Sequence, residues 1–538
     1  MNEKTAQIDV NHSRPLDVHL WSDYAEINDL VKSIFDSFSS EEKLQIKGRS
    51  NNRGRASGFT HLKVLLIDLY VAWRTDPSLC IGVARGNGAH TVNTRYNALF
   101  ISPRIRDVID LLIANDYLDS IGGSYDRIGN GRNNRTSRIR ASEKLCEAFQ
   151  GLTIEPYQLS LNHKQECIVL TKDDTDEEGN PIKLVRGRRT VKKRVLVKYK
   201  DSDNPNLQLM RSDLQRYNEL LCQTYVDIPS LQEPFIERQL KNGRTQKLQI
   251  NQTKKFVRRI FSRDDWEMNG RFYGGFWQQI GKNFRKQIYI NDSPTIEVDY
   301  KGLHAAILSA RKGVVSDTDR YDLGLRILTD FDQKQQRDVV KMLVLTAINA
   351  KSPKSAFSAF RDSQKDGSRE KRLTDSQLKS LLEAFINKHP YLEDDICSDK
   401  GIELMYTDSQ ITAHIINKFC DLNKPILTIH DSYIVGTRDT ELLRRSMQQA
   451  TIKVVGVDLS VEQEGISYQQ IMSIQQQDRN RYLDTFKEVL VDQVKTERYQ
   501  ENRSKFREYH SSKVLWLYLM CVRRLARTNY TTTINRKS

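Results

Sequence analysis

Two strand-like segments in the second half of the chain, each with an aspartate at one end, most constrain how this chain can fold. The first, 295–300, alternates apolar and polar residues and ends in Asp299-Tyr300. The second, 428–435, places His430-Asp431 between two apolar runs, a pattern that predicts a hairpin with these polar residues at its tip. We expect Asp431 to approach the same position in space as Asp299.

A predicted helix between these segments carries two cations one turn apart. Arg337, Lys341, Leu345 and Asn349 follow one another at intervals of four residues, which places them on one helical face. Cations so spaced can neutralise phosphate groups, and Leu345 and Asn349 would then lie against a base and a sugar. Taken alone, such a pair is more often a solvated helix face.

The order of these three motifs favours one chemistry over chance. An aspartate at a strand end is by itself commonly a turn residue or a helix cap. Two such carboxylates, with an Arg/Lys helix between them in sequence, can instead hold two metal ions against a triphosphate. That arrangement is used for nucleotidyl transfer.

On these residues the chain resembles the family A polymerases, which include bacterial DNA polymerase I and the single-subunit phage and mitochondrial RNA polymerases. Asp299-Tyr300 looks like motif A, Arg337-x-x-x-Lys341 looks like motif B, and His430-Asp431 looks like motif C. The resemblance covers about residues 270–470. It implies an α+β right-hand polymerase fold, with an antiparallel palm sheet and helical fingers and thumb.

The resemblance also implies roles for single residues. Two Mg²⁺ ions would be held by Asp299, Asp431 and the carbonyl of Tyr300. Arg337 and Lys341 would grip an incoming nucleoside triphosphate, with Lys341 also offsetting charge during catalysis. The remaining candidates are His304, Leu345 and Asn349 for the nucleotide, and His430, Arg271 and Arg285 for primer and template.

Two positions depart from the family pattern. His304 stands where the DNA polymerases carry a glutamate that excludes the ribose 2′-hydroxyl, and Asn349 stands where both branches usually have a tyrosine. The choice between dNTP and NTP therefore stays open. A DNA polymerase without proofreading is favoured, and a single-subunit RNA polymerase or a terminal transferase is the alternative.

The N-terminal half has the outline of a winged helix-turn-helix. A helix is predicted over 104–114, followed by strands over 117–121 and 136–140 with a basic tip between them that carries Arg127, Arg132 and Arg135. Such a wing would bind nucleic-acid phosphates, although an ordinary α+β domain with a solvated loop fits equally well.

The predicted division of the chain has five parts. Residues 1–55 are a leader with one short helix, and 56–150 form the winged domain. Residues 151–265 form a connector or thumb-like region, with one or two amphipathic helices over 205–250. Residues 266–470 form palm and fingers, and 471–538 form a basic helical C-terminal region. Within 271–277, aromatic residues alternate with glycine after Arg271, a composition that suits base stacking or a packed loop.

Composition favours a polyanionic partner. The net charge is +15 and the pI is about 9.3, which suits binding to nucleic acid. The seven cysteines are scattered without C-x-x-C spacing, and no secretory signal or membrane-length apolar run is visible, so a cytoplasmic protein is expected. A non-catalytic DNA-binding replication initiator or regulator remains an alternative function, and a metal-dependent nuclease is a more distant one.

Overall fold

A computed structural model of the chain describes residues 8–46, 56–86, 90, 94–124, 135–161, 165–186, 189–240, 245–316, 318–464, 468–475, 478, 480 and 495–512. Arg127 and Arg132 of the predicted wing tip, and the apolar run 514–522, lie outside these residues. Helices and antiparallel or mixed sheets occur throughout, so the fold class is α+β. None of the described helices combines the length and apolar character that crossing a bilayer requires.

The first hydrophobic core is built by residues 20–159 around a long buried helix. Its helices are α1 (Ala25–Ser37), α2 (Ser40–Ile46), α3 (Gly58–Thr75), α4 (Ile105–Ala114) and α5 (Glu143–Gln150). Its strands are β1 (Ser13–Pro15), β2 (Leu20–Trp21), β3 (Cys80–Val83), β4 (Leu118–Ile121), β5 (Ser137–Ala141) and β6 (Ser160–Leu161). Four of these strands form one sheet in the order β1-β3-β5-β4.

The segment predicted as a leader is part of this core. Ile27, Val31 and Ile34 recur at helical spacing on α1, are buried, and face α3. This apolar face of α1 is buried by packing against α3. Residues 20–46 of the predicted leader therefore contribute to the first core.

The helix and hairpin expected over 104–140 are both present. Helix α4 leads directly into β4, which pairs antiparallel with β5 from Leu118↔Ala141 to Ile121↔Arg138. Strand β3 then pairs with the other edge of β5. Nucleic-acid binding by this unit stays a prediction.

The second core spans residues 167–459 and carries the two aspartate motifs. Its strands are β7 (Ile168–Asp173), β8 (Lys183–Arg186), β9 (Arg189–Lys192), β10 (Arg194–Leu196), β11 (Val226–Asp227), β12 (Phe235–Gln239), β13 (Thr245–Gln249), β14 (Val257–Ser262), β15 (Asp265–Gly274), β16 (Tyr289–Ile290), β17 (Ser293–Tyr300), β18 (Leu427–Ile429), β19 (Ser432–Gly436) and β20 (Val461–Glu464). Its helices are α6 (Leu207–Cys222), α7 (Lys282–Arg285), α8 (Leu303–Arg311), α9 (Gln333–Ile348), α10 (Pro353–Ser363), α11 (Asp375–Lys388), α12 (Gly401–Asp421), α13 (Thr440–Val455) and α14 (Tyr468–Gln475).

Two sheets organise this second core. One has the order β10-β7-β14-β15, and the other has the order β11-β16-β17-β19-β18 with β20 paired to β17. Helix α12 lies along β15 and also contacts α6, α8 and α13, while α9, α10 and α11 pack on one another as a separate helical group. The site described below lies where β17 and β19 end.

The region 205–250 is only half helical. Helix α6 ends at Cys222, and strands β11, β12 and β13 follow, with β12 and β13 paired as a hairpin. The helical prediction for the second half was wrong: β12 and β13 pair antiparallel, and Ile236 and Leu248 are buried opposite each other across the hairpin. The aromatic segment 271–277 is the end of β15 followed by the start of a 3₁₀ helix, Phe276–Gln278, and Phe272, Phe276 and Trp277 are buried.

A helix over 497–512 closes the described chain against both cores. Arg498 makes a bidentate ion pair with Asp227, with both N···O distances 3.0 Å. The ring of Phe506 contacts Tyr225, which follows α6, and Tyr157, which follows α5, in a small hydrophobic cluster of its own. The C-terminal region therefore serves as a structural bridge in its described part.

Candidate active site

Asp299 and Asp431 lie side by side although 131 residues separate them in sequence. Strands β17 and β19 are antiparallel, with a register that runs from Thr295↔Gly436 to Asp299↔Ser432. One step further, the backbone N–H of Tyr300 donates to the carbonyl of Asp431 over 3.3 Å. The sheet thus holds the two carboxylates at the same end of the β17–β19 pair.

Negative charge is concentrated around Asp299. Burial, followed by the nearby Asp431, Glu462 and Glu297, raises the pKa of Asp299 to about 8, and the positive charge of Lys341 opposes this shift. Glu462 stands opposite Asp299 on β20. The Oδ1 atom of Asp299 is buried without a hydrogen-bond partner. A buried oxygen acceptor among like charges suits a bound cation.

The Asp299–Asp431 pair by itself provides few ligands for a metal ion. Among the described residues, no group of three or more His, Cys, Asp or Glu side chains has a geometry that could hold a metal ion. The two aspartates predicted as ligands would therefore need main-chain, water or substrate oxygens to complete a Mg²⁺ shell. The Tyr300 side chain is not among them, because its hydroxyl is buried and donates to the Met447 carbonyl over 2.7 Å.

His430 lies in the turn just before Asp431. Its backbone has a φ of 56°, in the left-handed region that a tight turn between β18 and β19 requires. Its ring meets Tyr273 edge-on, with 5.4 Å between ring centroids. Burial, with Arg271 nearby, lowers the pKa of His430, so the ring is neutral at pH 7.

Arg271 is held towards Asp431 by two buried groups. Its Nε donates to Asp408 Oδ2 over 2.5 Å, and its Nη2 donates to His304 Nε2 over 3.1 Å. Burial and the adjacent guanidinium lower the pKa of His304 to about 3, so its ring accepts this bond as a neutral group. His304, predicted as a nucleotide contact, thus supports Arg271 instead in this structure.

Asp408 is a further carboxylate near Asp431. It lies on α12 and is completely buried, and its Oδ1 has no hydrogen-bond partner. Burial raises the pKa of Asp408 to about 6 against the lowering effect of Arg271, and Asp431 adds to the rise. Sequence reasoning missed this residue because nothing in the surrounding helical pattern marks it.

Arg285 is bound within the protein. Its Nε and Nη2 donate to the two Glu297 carboxylate oxygens over 3.0 and 2.9 Å, and the pair is largely buried. Glu297 also accepts a hydrogen bond from the Ser432 hydroxyl over 2.8 Å. The pair therefore fixes β17 next to β19, and the primer or template contact predicted for Arg285 would require breaking it.

Helix α9 presents Arg337 and Lys341 as expected from their spacing. Arg337 Nε donates to Asp319 over 2.7 Å and Nη1 donates to Asp338 over 3.0 Å. Lys341 has no ion pair or hydrogen bond to any described residue, and its charge lowers the pKa of Asp319 and opposes the rise at Asp299. Lys341 therefore acts electrostatically on both Asp299 and Asp319.

The predicted base contact, Leu345, lies within α9, and the predicted sugar contact, Asn349, follows the end of that helix. Leu345 is half-buried on the helix, whereas Asn349 follows the last helical residue and its amide donates to the Leu345 carbonyl over 2.7 Å. Asn349 also packs so closely on Gly401 that any side chain at Gly401 would overlap it. The sugar contact predicted for Asn349 stays a prediction.

No protein-family model and no curated protein matches the chain. One of the solved structures that it is similar to is the POL domain of Pol1 from M. smegmatis in complex with DNA primer-template and dNTP. The sequence identity is 12% and the TM-score is 0.27, and the match covers 50% of this chain and 54% of that one.

Proposed function

We propose that this chain is a nucleotidyltransferase that adds nucleotides to a nucleic-acid 3′ end at the Asp299–Asp431 pair. The observation that carries the proposal is the pairing of β17 with β19, which brings Asp299 next to Asp431. The buried Oδ1 of Asp299 has no partner among the described residues, and the charge of Lys341 acts on this carboxylate. We further propose that β17, β18 and β19 belong to a palm and α9–α11 to fingers, in a DNA polymerase without proofreading.

Asp299 and Asp431 would hold two Mg²⁺ ions. Such ions, when bound, activate the 3′-hydroxyl and stabilise the leaving pyrophosphate. The protein contributes fixed positions, because Asp299 lies on the paired strand β17 and Asp431 lies in the tight turn between β18 and β19, directly before β19 begins. The free energy needed to place these like charges together is offset by the rest of the folding free energy. The site is therefore already arranged when the substrate binds.

The cations of α9 would bind the triphosphate. Lys341 is free of partners in the described chain and lies near Asp299, so it can neutralise phosphate charge next to the carboxylate pair. Arg337 is one turn earlier and can contact a phosphate oxygen further along the triphosphate.

The primer end would lie against His430 and Arg271. His430 is neutral and next to Asp431 in the turn, so it can hydrogen-bond a sugar or base edge without adding charge. Arg271 is aimed by Asp408 and His304 and can contact a nucleic-acid backbone or base edge. These assignments leave the choice between dNTP and NTP to experiment.

Primer extension tests the proposal. The purified chain, supplied with Mg²⁺, is given dNTPs or NTPs separately, with and without a template strand, beside the variants Asp299→Asn and Asp431→Asn. We expect extension by the wild type and a loss of at least about 1000-fold in each variant, because removing a catalytic electrostatic group costs that order. Nucleic-acid binding should remain.

Asp394→Asn is a matched control, because Asp394 is an exposed aspartate outside the site. Its extension rate should equal that of the wild type. Extension that persists in Asp431→Asn at the control rate would contradict the proposed catalytic site. No extension by the wild type under any condition, with DNA binding intact, would favour the initiator or regulator alternative.

A further inference from the structure

The segment 314–332 between α8 and α9 places a carboxylate on one of the two proposed phosphate-binding cations. Asp319 Oδ2 accepts a hydrogen bond from Arg337 Nε over 2.7 Å. Its Oδ1 accepts from the backbone N–H of Tyr321 over 2.9 Å, which fixes the carboxylate in the turn. The guanidinium that should bind an anionic substrate is therefore already bound to an anion of the protein.

This ion pair is open to exchange. The side chains of Arg337 and Asp319 are 31% and 41% exposed, so water and dissolved anions reach both. Exposed pairs of this kind contribute little to stability. A phosphate oxygen can therefore replace the Asp319 carboxylate without a large loss of folding free energy.

Asp319 also lies in the electrostatic field of the second cation. The positive charge of Lys341, one helical turn after Arg337 on α9, lowers the pKa of Asp319. Arg337 and Lys341 therefore both act on the Asp319 carboxylate, and a triphosphate bound to both cations would lie against the same part of α9.

A buried tyrosine ring lies next to the Arg337 guanidinium. Tyr321 is 4% exposed, and its hydroxyl has no hydrogen-bond partner in the described structure. Its ring stacks on Phe385, with 6.3 Å between centroids and 17° between planes, and the Arg337 guanidinium lies 5.7 Å from its ring centroid. An acceptor oxygen brought by a ligand would satisfy this donor.

We propose that the Asp319 carboxylate occupies the position on Arg337 that a substrate phosphate takes, and that the triphosphate displaces it on binding. This inference rests on the proposed function, since it concerns the same triphosphate. Asp319 then sets nucleotide affinity by competition: the carboxylate keeps Arg337 ordered in the free protein and weakens binding until it is displaced. It is a determinant of affinity and not a catalytic residue.

Asp319→Asn tests the exchange, because asparagine keeps the size of the side chain and removes the charge. Binding of dATP with Mg²⁺, and separately of inorganic tripolyphosphate, is measured by calorimetry on the full chain. We expect Kd for both probes to fall about fivefold, the upper end for an exposed ion pair at about 1.4 kcal/mol per tenfold. Asp319→Glu should restore competition and bring Kd back towards the wild-type value.

Asp330→Asn is the control, since Asp330 is an exposed aspartate of the same segment with no recorded contact to Arg337. It should leave Kd unchanged, so that a general charge effect is separated from the exchange. A Kd that rises in Asp319→Asn would show that Asp319 positions Arg337 for the substrate and would overturn the inference. An unchanged Kd would overturn it equally.

The binding readout separates this inference from the proposed function. If Asp319→Asn tightens triphosphate binding while no extension occurs, the exchange stands and the polymerase activity fails. If extension occurs and Asp319→Asn does not tighten binding, the activity stands and the exchange fails. Absence of triphosphate binding in wild type and variant alike would overturn both.

Discussion

The ring of Tyr321 lies directly on the bare Cα of Gly302. A Cβ atom added to Gly302 would come within 2.8 Å of the Tyr321 hydroxyl oxygen, closer than real Cβ contacts allow. Gly302 also has a φ of 58°, at the start of α8 and three residues after Asp299. The residue is therefore glycine for two reasons, a left-handed backbone and a close aromatic neighbour.

Gly302→Ala should destabilise the protein by about 2–4 kcal/mol, as the sum of left-handed strain and overpacking. Gly313→Ala separates the two terms, because Gly313 has a φ of 75° with nothing within 4 Å. It should cost about 1 kcal/mol. Urea unfolding followed by tryptophan fluorescence measures both, and an equal loss in the two variants would contradict the close contact.

Arg285→Ala should destabilise the fold by about 3 kcal/mol, because it leaves the Glu297 carboxylate buried without its partner. The control Arg216→Ala removes an exposed ion pair with Asp421 and should cost less than about 1 kcal/mol. Urea midpoints compare the two. If Arg285→Ala were as stable as the control and instead lost primer-template affinity, Arg285 would be a nucleic-acid contact, as first predicted.

Metal-free protein should lose stability as pH rises from about 4 to about 8. The folded pKa of Asp299 is about 8 and its ordinary value is 3.8, so between these values the folded state binds more protons than the unfolded state. Stability is then greatest at the acidic end of this window. Melting temperatures in EDTA at several pH values measure the loss.

Asp299→Asn should flatten this pH dependence, since asparagine does not titrate. Addition of Mg²⁺ at pH 8 should stabilise the wild type and leave the variant unchanged, because a cation offsets the charge that the variant lacks. Parallel pH profiles for wild type and variant would show that Asp299 is not the group whose burial causes the loss.

Asp408→Asn should destabilise the protein by about 3 kcal/mol and raise the KM for primer-template, because the buried Arg271 guanidinium loses its counter-ion. The KM for nucleotide should change little. The double variant Asp408→Leu with Arg271→Met should recover stability without recovering activity. A double variant with normal primer-template KM would contradict the role of Arg271.

The sequence predicted the elements that repeat a local period. Helices α4 and α9, strand β17 and the turn at Asp431 were all anticipated, because apolar spacing or a strand-end aspartate marks them locally. The sequence was also sufficient to predict that Asp299 and Asp431 stand at the ends of strands that can pair. Their contact depends only on the antiparallel pairing of those strands.

Other parts of the site depend on contacts that no local pattern records. Asp408 reaches Arg271 across α12 and β15, and Asp319 reaches Arg337 across a turn. His304 was predicted to contact the nucleotide because of its position after Asp299. Its hydrogen-bond partner in the structure is Arg271, which lies on β15. Long-range packing of polar groups cannot be deduced from period or propensity alone, so these residues became visible only in the fold.

Divalent-cation binding by the Asp299–Asp431 pair tests the central claim most directly. Mn²⁺ binding is followed by electron paramagnetic resonance in the wild type, Asp299→Asn, Asp431→Asn and the control Asp394→Asn, with and without a nucleoside triphosphate. We predict tight Mn²⁺ binding that the triphosphate enhances, its loss in both site variants, and its retention in the control. Equal Mn²⁺ binding by all four proteins would contradict the assignment of these two aspartates as the metal site.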